Sequence, residues 1–579
     1  MRIVLDLQGA QTASSIRGLG RYSLSLARAI AQNPRGHEII IALNGHFEKT
    51  IEPIRGLFSG ILPQKNIQVW TPPVYPASSD NSLLQQKISA HIYEAFLANL
   101  APDLIHFLSF FEGYGNPATT SIDQFISVCP IVVSLHDLIP LIYTQDYLEP
   151  NTHYKEFYLR KIEQFKQATA WFAVSNSAAH EGESLLKLDK EKIVNTYEGC
   201  DSIFKKITIP HVEETILRKK FHLAQAFIMC AGATDVRKNH LSLIKAYAKL
   251  PALLRKQHQL AIVGDLPEHD KTTFLKLAKT CGLKEHECVI TGKVTDLEMA
   301  KLYNLCHLFV FPSWHEGFGL PVLEAMSCGA AVIGSNTSSI PELINDADAL
   351  FNPFDELAIT NKMEEVLTNE SFRLSLIENG LTQAQLFSWD KSAQCAVTEY
   401  EKIHAMMLEK KQPLNVGSKS RPRLAFVSPL PPEKTGIADY STSLLSVLAC
   451  YYDIHVIVEQ KKVDSAIKAK FPVHDAAWFM KHSKEFDRIV YQFGNSPFHQ
   501  YMLFLLKKAP GIVVLHDFFL SELFAWDTAK DESAWLQTLY QAHGYLAVNC
   551  HLAQKNIKKK YPLNLSVLQQ AQGIIVHSE

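Results

Sequence analysis

At 579 residues the chain exceeds the ~250 to 300 residues that one hydrophobic core serves, so it divides into domains, three by ordinary domain size. Its 57 basic and 59 acidic side chains, with 47% hydrophobic and 20% charged residues, exclude a disordered chain and leave no basic excess for binding a nucleic acid. The ten cysteines, scattered from Cys129 to Cys550 without a C-x-x-C pair or zinc spacing, argue against a disulfide framework and suit buried thiols in a reducing compartment. The start Met1-Arg-Ile-Val-Leu-Asp6 turns polar too early for a signal peptide, and no run of ~18 apolar residues occurs. The expected location is the cytoplasm, with at most peripheral contact at the inner membrane face; the basic stretch Lys555 to Lys560 is a candidate for that contact.

In chain order, short β-branched runs alternate with amphipathic stretches, the pattern of βαβ units and a parallel sheet covered on both faces. Runs at 2–7, 38–43, 103–107, 131–135 and 171–174 predict a first doubly wound sheet in a domain spanning 1–200. After Gly199-Cys200-Asp201 the pattern restarts, with strands predicted at 227–231, 259–263, 288–291, 308–311 and 331–333 in a second α/β domain spanning 201–395. Residues 388–410 read as helical, and 396–422 as a closing helix and linker, with Pro413, Gly417 and Pro422 marking exposed chain.

A third α/β pattern covers 423–579 and partly repeats the first. Val132-Val-Ser-Leu-His136-Asp137 returns as Val513-Val-Leu-His516-Asp517, Gly18-Leu-Gly20-Arg21-Tyr22-Ser23 more loosely as Gly436-Ile-Ala-Asp439-Tyr440-Ser441, and Trp171-Phe-Ala-Val-Ser175 as Ile574-Ile-Val-His577-Ser578. The sequence stops where the first unit passes into its second domain. The expectation is a fragment of a longer tandem protein, or a truncated one whose third domain binds acceptor or packs on the first unit.

The densest chemistry lies in Phe311-Pro-Ser-Trp-His-Glu316-Gly317-Phe318-Gly319-Leu320-Pro321-Val-Leu-Glu324. A strand, a glycine loop and a helix opened by Pro321 would turn the backbone N–H groups of Gly317 to Leu320 toward a cleft, an anion site suited to a diphosphate. Glu316 falls before the helix and Glu324 in its first turn, so that both carboxylates enter one cleft at different depths.

This segment resembles the E-x7-E motif of family 4 retaining glycosyltransferases, which have the two-domain GT-B fold. The likeness covers essentially all of residues 1 to 400. Gly18-Leu-Gly20-Arg21-Tyr22 is similar to the family's N-terminal loop, His136-Asp137 to its substrate-facing His, Gly232-Ala-Thr-Asp-Val-Arg237-Lys238-Asn239 to its phosphate segment, and Gly292-Lys-Val294 to the turn against the nucleotide base. Ala233 stands where one common form of the phosphate motif has Arg.

The resemblance implies that Glu324 accepts hydrogen bonds from the ribose, Glu316 orients the donor sugar, His136 meets its hydroxyls, and Arg237 and Lys238 neutralise the leaving diphosphate. The donor would be a GDP- or UDP-linked sugar, mannose-like by the habit of tandem members, and the acceptor a glycan or lipid-linked glycan in bacterial surface polysaccharide synthesis. No D-x-D segment sits at a strand end, so no metal or other cofactor is expected. Paired carboxylates also suit a glycosidase, but the neighbourhood is built for phosphates. A GT-B-like phosphorylase or epimerase, and a silent nucleotide-sugar or glycan-binding module, are the alternatives.

Overall fold

Seven parallel strands build the first sheet: β1 (Arg2–Asp6), β2 (Glu38–Asn44), β3 (Ile67–Trp70), β4 (Leu104–Phe107), β5 (Ile131–Leu135), β6 (Ala170–Ala173) and β7 (Ile193–Asn195). Their order is β3-β2-β1-β4-β5-β6-β7, every neighbouring pair parallel. β5 is buried at all five positions, as a strand covered by helices on both faces requires. The second sheet, β8 (Ala226–Ala231), β9 (His258–Val263), β10 (Cys288–Ile290), β11 (Leu308–Phe311), β12 (Val332–Ser335) and β13 (Leu350–Phe351), runs β10-β9-β8-β11-β12-β13. A third comprises β14 (Arg423–Val427), β15 (Asp453–Val458), β16 (Val473–Asp475), β17 (Arg488–Phe493), β18 (Ile512–Leu515) and β19 (Gly573–Val576). Its order β16-β15-β14-β17-β18-β19 repeats the first six positions of the first sheet.

These elements come from a computed structural model that describes the chain apart from residues 17, 73–82, 123–128, 224–225, 233–234, 412–420, 530, 554–556 and 578–579. Ala233, most of the linker, Lys555 and Ser578 therefore lie outside the described residues. The chain forms two compact units, Met1–Gln412 and Pro413–Glu579. In the first, one continuous apolar core runs through both sheets; the second encloses two core clusters of its own. Among the described residues no helix is long and apolar enough to cross a membrane, and all ten cysteines are free thiols.

In the first two sheets three strands were not foreseen, β3, β7 and β13, each at a sheet edge; in the third sheet the sequence reading marked the opening strand β14 and the repeated segments at β18 and β19, and did not mark β15, β16 and β17. The boundary drawn at 395/396 falls inside a single helix, Trp389–Lys411. That helix returns to the first domain: Tyr400 stacks on Phe172 at 5.4 Å and its hydroxyl meets His106 Nδ1 at 2.5 Å. The outgoing chain and the returning one cross tightly, since a Cβ on Gly199 would lie 2.1 Å from the Trp389 nitrogen. The internal repeat extends to side-chain geometry. Tyr22 meets His136 edge-on at 4.6 Å and 82°, and Tyr440 meets His516 at 4.9 Å and 81°.

Candidate active site

The C-terminal ends of β8, β9 and β10 carry Gly232, Gly264 and Gly292, the place where ligands settle in open α/β sheets. Gly232 donates its N–H to the Val263 carbonyl at 2.7 Å, and a Cβ on Gly264 would lie 2.9 Å from the Gly232 oxygen. Gly264 has φ +152 and Gly292 φ +73, and the two form a backbone bridge. The strand ends thus make a floor without side chains. Val294, half-buried, leads from Gly292 into the helix Asp296–Leu305, opened by a capping box between Thr295 and Glu298.

β11 ends in the loop that carries Glu316. The helix beyond it, Leu320–Ser327, has Gly319 as its N-cap with φ +114, which no residue with a Cβ adopts readily. Pro321 is its second residue and Glu324 its fifth, so Glu324 sits one turn deeper than expected. The N–H groups of Gly317, Phe318, Gly319 and Leu320 donate no hydrogen bond to another described group, whereas the Glu316 N–H is taken by Ser338 Oγ at 3.0 Å. The Phe318 ring itself is a core group, 5.8 Å from Phe387, so what this residue leaves unengaged in the loop is its backbone N–H.

Glu316 is 6% exposed and carries the site's charge pattern. Arg237 Nη1 donates to its Oε2 at 2.6 Å, and Lys238 Nζ and Ser313 Oγ each donate to its Oε1 at 2.6 Å. Burial alone would raise this carboxyl, but Lys238 and Arg237 outweigh burial and hold it down at about 2. The turn bearing both cations is pinned to the Glu316 loop: Trp314 N donates to the Arg237 carbonyl at 3.0 Å, and Asn239 Nδ2 to the carbonyls of Pro312 and Pro353. Arg237 also reaches the His315 carbonyl at 2.7 Å and pairs with Asp235 at 3.3 Å.

Glu324 is the second buried carboxyl. Tyr303 donates to its Oε2 at 3.1 Å and Arg21 to its Oε1 at 3.2 Å. Burial raises it to about 7, against the opposing pull of Arg21 and Tyr303. Arg21 comes from the first domain, 303 residues away in sequence, and its guanidinium also pairs with Asp296. Gly18 and Gly20 lie in the first turn of the helix Gly18–Gln32, not in a loop. Gly18 lies opposite Leu320, 3.9 Å from a Cβ placed on it, while Gly20 is buried against Ser14 and Ser15 and has a packing role.

His136 donates from Nε2 to the Leu108 carbonyl at 2.8 Å. Burial lowers its pKa, so the ring is neutral and Nδ1 is left as an acceptor for a hydroxyl. Behind it runs a relay of polar groups, Tyr22 OH to Ser134 at 2.9 Å, Ser134 to His106 at 2.9 Å, and His106 to Tyr400. The two domains meet at Gly317, where a Cβ would lie 2.3 Å from the His136 carbonyl oxygen. Ser175 Oγ donates to the Gly317 carbonyl at 2.5 Å, His315 meets Glu181 at 2.8 Å, and Glu342 receives the N–H groups of Asn176 and Ser177 at 2.9 and 3.1 Å.

The arrangement thus gathers Glu316, Arg237, Lys238, Glu324, His136 and the glycine loops into one cleft. Gly264, Glu181 and Glu342 belong to the same surroundings and escaped sequence reasoning, and Arg21 was read only as part of the N-terminal motif, with no role of its own. Gly264 follows β9 as Gly232 follows β8, a signal that could have found it. Among the described residues no cluster of His, Cys, Asp or Glu has the makings of a metal site.

Two facing doubly wound domains with a glycine loop between them are the GT-B architecture. Residues 16–202 match the family described as Glycosyltransferase Family 4, and 213–383 that described as Glycosyl transferases group 1. The chain is 35% identical over 408 residues to the serotype-specific mannosyltransferase WbdA of Escherichia coli, covering 70% of this chain and 48% of that protein. It is 31% identical over 271 residues to the O-antigen chain mannosyltransferase B of Escherichia coli, covering 47% of this chain and 70% of the relative. Sucrose-phosphate synthase from Thermosynechococcus elongatus shares the fold, with TM-score 0.53 and 18% identity over 70% of this chain and 100% of that structure. The chain belongs to glycosyltransferase family 4. It spans about half the length of the WbdA relatives it matches.

Proposed function

We propose that residues 1–411 form a retaining glycosyltransferase that moves a mannose-type sugar from a GDP- or UDP-linked donor to a glycan or lipid-linked acceptor in surface polysaccharide synthesis. The observation that carries this reading is Glu316 held by Lys238 and Arg237 at 2.6 Å beside four loop N–H groups without protein acceptors. A leaving nucleoside diphosphate needs positive groups and N–H donors at its β-phosphate, and a sugar needs a fixed carboxylate and a neutral acceptor at its hydroxyls. The cleft supplies both sets. The donor range follows the mannosyltransferase relatives at 35% and 31% identity.

In this reading the ribose hydroxyls displace Arg21 from Glu324, and the diphosphate lies on the Gly317–Leu320 loop. Glu316 and His136 Nδ1 orient the sugar. The C1–O bond to the β-phosphate breaks as the acceptor hydroxyl attacks from the same face, and the departing phosphate oxygen takes the acceptor's proton. Arg237 and Lys238 carry the charge that develops, with no metal required. The contacts at Gly317, His315 and Glu342 close the domains over the donor and keep water out.

The test is a donor screen with GDP-mannose, UDP-glucose, UDP-N-acetylglucosamine and UDP-galactose, following nucleoside diphosphate release with and without a glycan acceptor, and repeated with chelator. One donor should give acceptor-stimulated release that survives chelation and that Glu316→Gln and Lys238→Ala abolish. Release of a sugar phosphate, or donor consumption without acceptor, would favour a phosphorylase or epimerase; binding without turnover would leave a silent module.

A further inference from the structure

The second unit contains a cavity that the mechanism above does not use. It measures about 970 Å3 and lies between the C-terminal ends of β15 and β16 and the helices Ala476–His482 and Gln500–Lys508. That is the upper end of the ~300 to 1,000 Å3 of small-molecule sites, room for a ligand of several rings. Part of its lining is aromatic. Phe504 lines it while 58% exposed, although Met502, Leu505 and Leu506 of the same helix are buried. Phe504 belongs to neither core cluster of the unit, and no described aromatic ring stacks on it or on Phe471, which also lines the cavity.

The rest of the lining is polar: Glu459 and Lys461 after β15, Lys468 on the short helix Ser465–Lys468, and His474 and Asp475 on β16. The side chains of Glu459, Lys461 and Lys468 make no hydrogen bond or ion pair with any described residue, so opposite charges share the cavity without pairing across it. His474 is fixed, stacked on Trp478 at 3.5 Å with its Nε2 3.0 Å from His455 Nδ1. Two acidic and two basic side chains balance, which suits neither a polyanion nor a polycation. A nucleotide is disfavoured further: Asp475 accepts the Trp478 N–H at 2.7 Å, a carboxylate where a phosphate would sit, and the strand order reverses between β14 and β17, away from this cavity. A hydrocarbon tail would take Glu459, Lys461 and Lys468 out of water without giving them partners.

We propose that this cavity is a glycan-binding site for a neutral oligosaccharide, with one pyranose against Phe504 and hydroxyls on Glu459, Lys461 and Lys468. A pyranose offers an exposed ring a face of C–H groups and surrounds that face with hydroxyls. Each hydroxyl both donates and accepts, so one ligand without charge can serve the carboxylate and the two ammonium groups together. The site is argued from the second unit alone, and only the choice of mannose as a test sugar rests on the transferase reading.

The experiment is hydrogen–deuterium exchange of the full chain, read by mass spectrometry, with α-linked mannotetraose, maltotetraose, tetragalacturonate or GDP added. Wild type, Phe504→Ala and Phe504→Tyr are compared, with thermal melts to establish that each variant is folded. Either neutral tetrasaccharide should slow exchange in residues 459–475 and 500–508, and tetragalacturonate and GDP should not. Phe504→Ala should weaken that protection about tenfold in sugar concentration, as loss of an aromatic anchor does, and Phe504→Tyr, which keeps the ring, should retain it. No protection by either neutral sugar, protection undiminished in Phe504→Ala, or stronger protection by tetragalacturonate or GDP would overturn the inference. These readouts need no turnover. Their failure beside acceptor-stimulated diphosphate release would leave the transferase reading standing, and their success beside inert donors would leave the glycan site standing alone.

Discussion

Glu316 receives a guanidinium, an ammonium and a hydroxyl at 2.6 Å each, and that geometry gives it two duties. It fixes the two cations, Arg237 and Lys238, beside the glycine loop, and it stabilises the fold. The folded pKa, about 2, is depressed below the ordinary 4.5, so the stabilisation is complete above 4.5 and is lost as pH falls through about 2. A depression of that size corresponds to about 3 kcal/mol at neutral pH. Glu316→Gln keeps the shape and removes the charge, leaving Lys238 and Arg237 without their shared partner. Urea unfolding should find the variant about 3 kcal/mol less stable at pH 7, with the gap closing between about pH 4.5 and 2. A constant gap across that window would mean that the ion pairs are not its source.

Among the elements, the helix Trp389–Lys411 ties sheet packing to the cleft. Tyr400 stacks on Phe172 and bonds His106, and His106 passes the constraint through Ser134 to Tyr22, whose ring abuts His136. Tyr400→Phe keeps the stack and leaves His106 Nδ1 unpaired in the core, a loss of about 1 to 3 kcal/mol. The unfolding midpoint of the first unit should fall with an unchanged slope, while Tyr400→Ala, which also opens a cavity, should cost about 3 to 5 kcal/mol. Much of this element level was legible in the sequence. Runs of β-branched and aromatic residues mark the strands buried on both faces, and the bounds at 131–135 and 308–311 agree with β5 and β11. The strands missed in the first two sheets are short and poorly patterned: β7 is half-buried at all three positions, and β13 has two residues. The motif residues of the cleft were legible because each lies in a local strand, loop and helix signal. Arg21 with Glu324, and Glu181 with His315, were not, because nothing local to a sequence joins groups 303 and 134 residues apart. Those pairs exist only once two sheets have folded and faced each other.

For the whole molecule, the separation into Met1–Gln412 and Pro413–Glu579 makes the third domain a testable addition. Each unit encloses its own apolar core, so calorimetry of the full chain should resolve two transitions. Every group assigned to the cleft, from Arg21 through Glu316 to Glu342 and the supporting Tyr400, lies in the first unit. Residues 1–411 alone should therefore keep one of these transitions and release nucleoside diphosphate from the preferred donor at a rate within about twofold of the full chain. The second unit repeats the order of the first sheet and its Tyr–His pair, but its comparable residues, Tyr440 and His516, face no E-x7-E segment within that unit. If it contributes, the effect belongs on the acceptor side: removal should raise the acceptor KM and leave donor affinity unchanged. A fall in donor affinity on truncation would instead mean that a donor contact lies beyond residue 411, and the cleft described for the first unit would be incomplete.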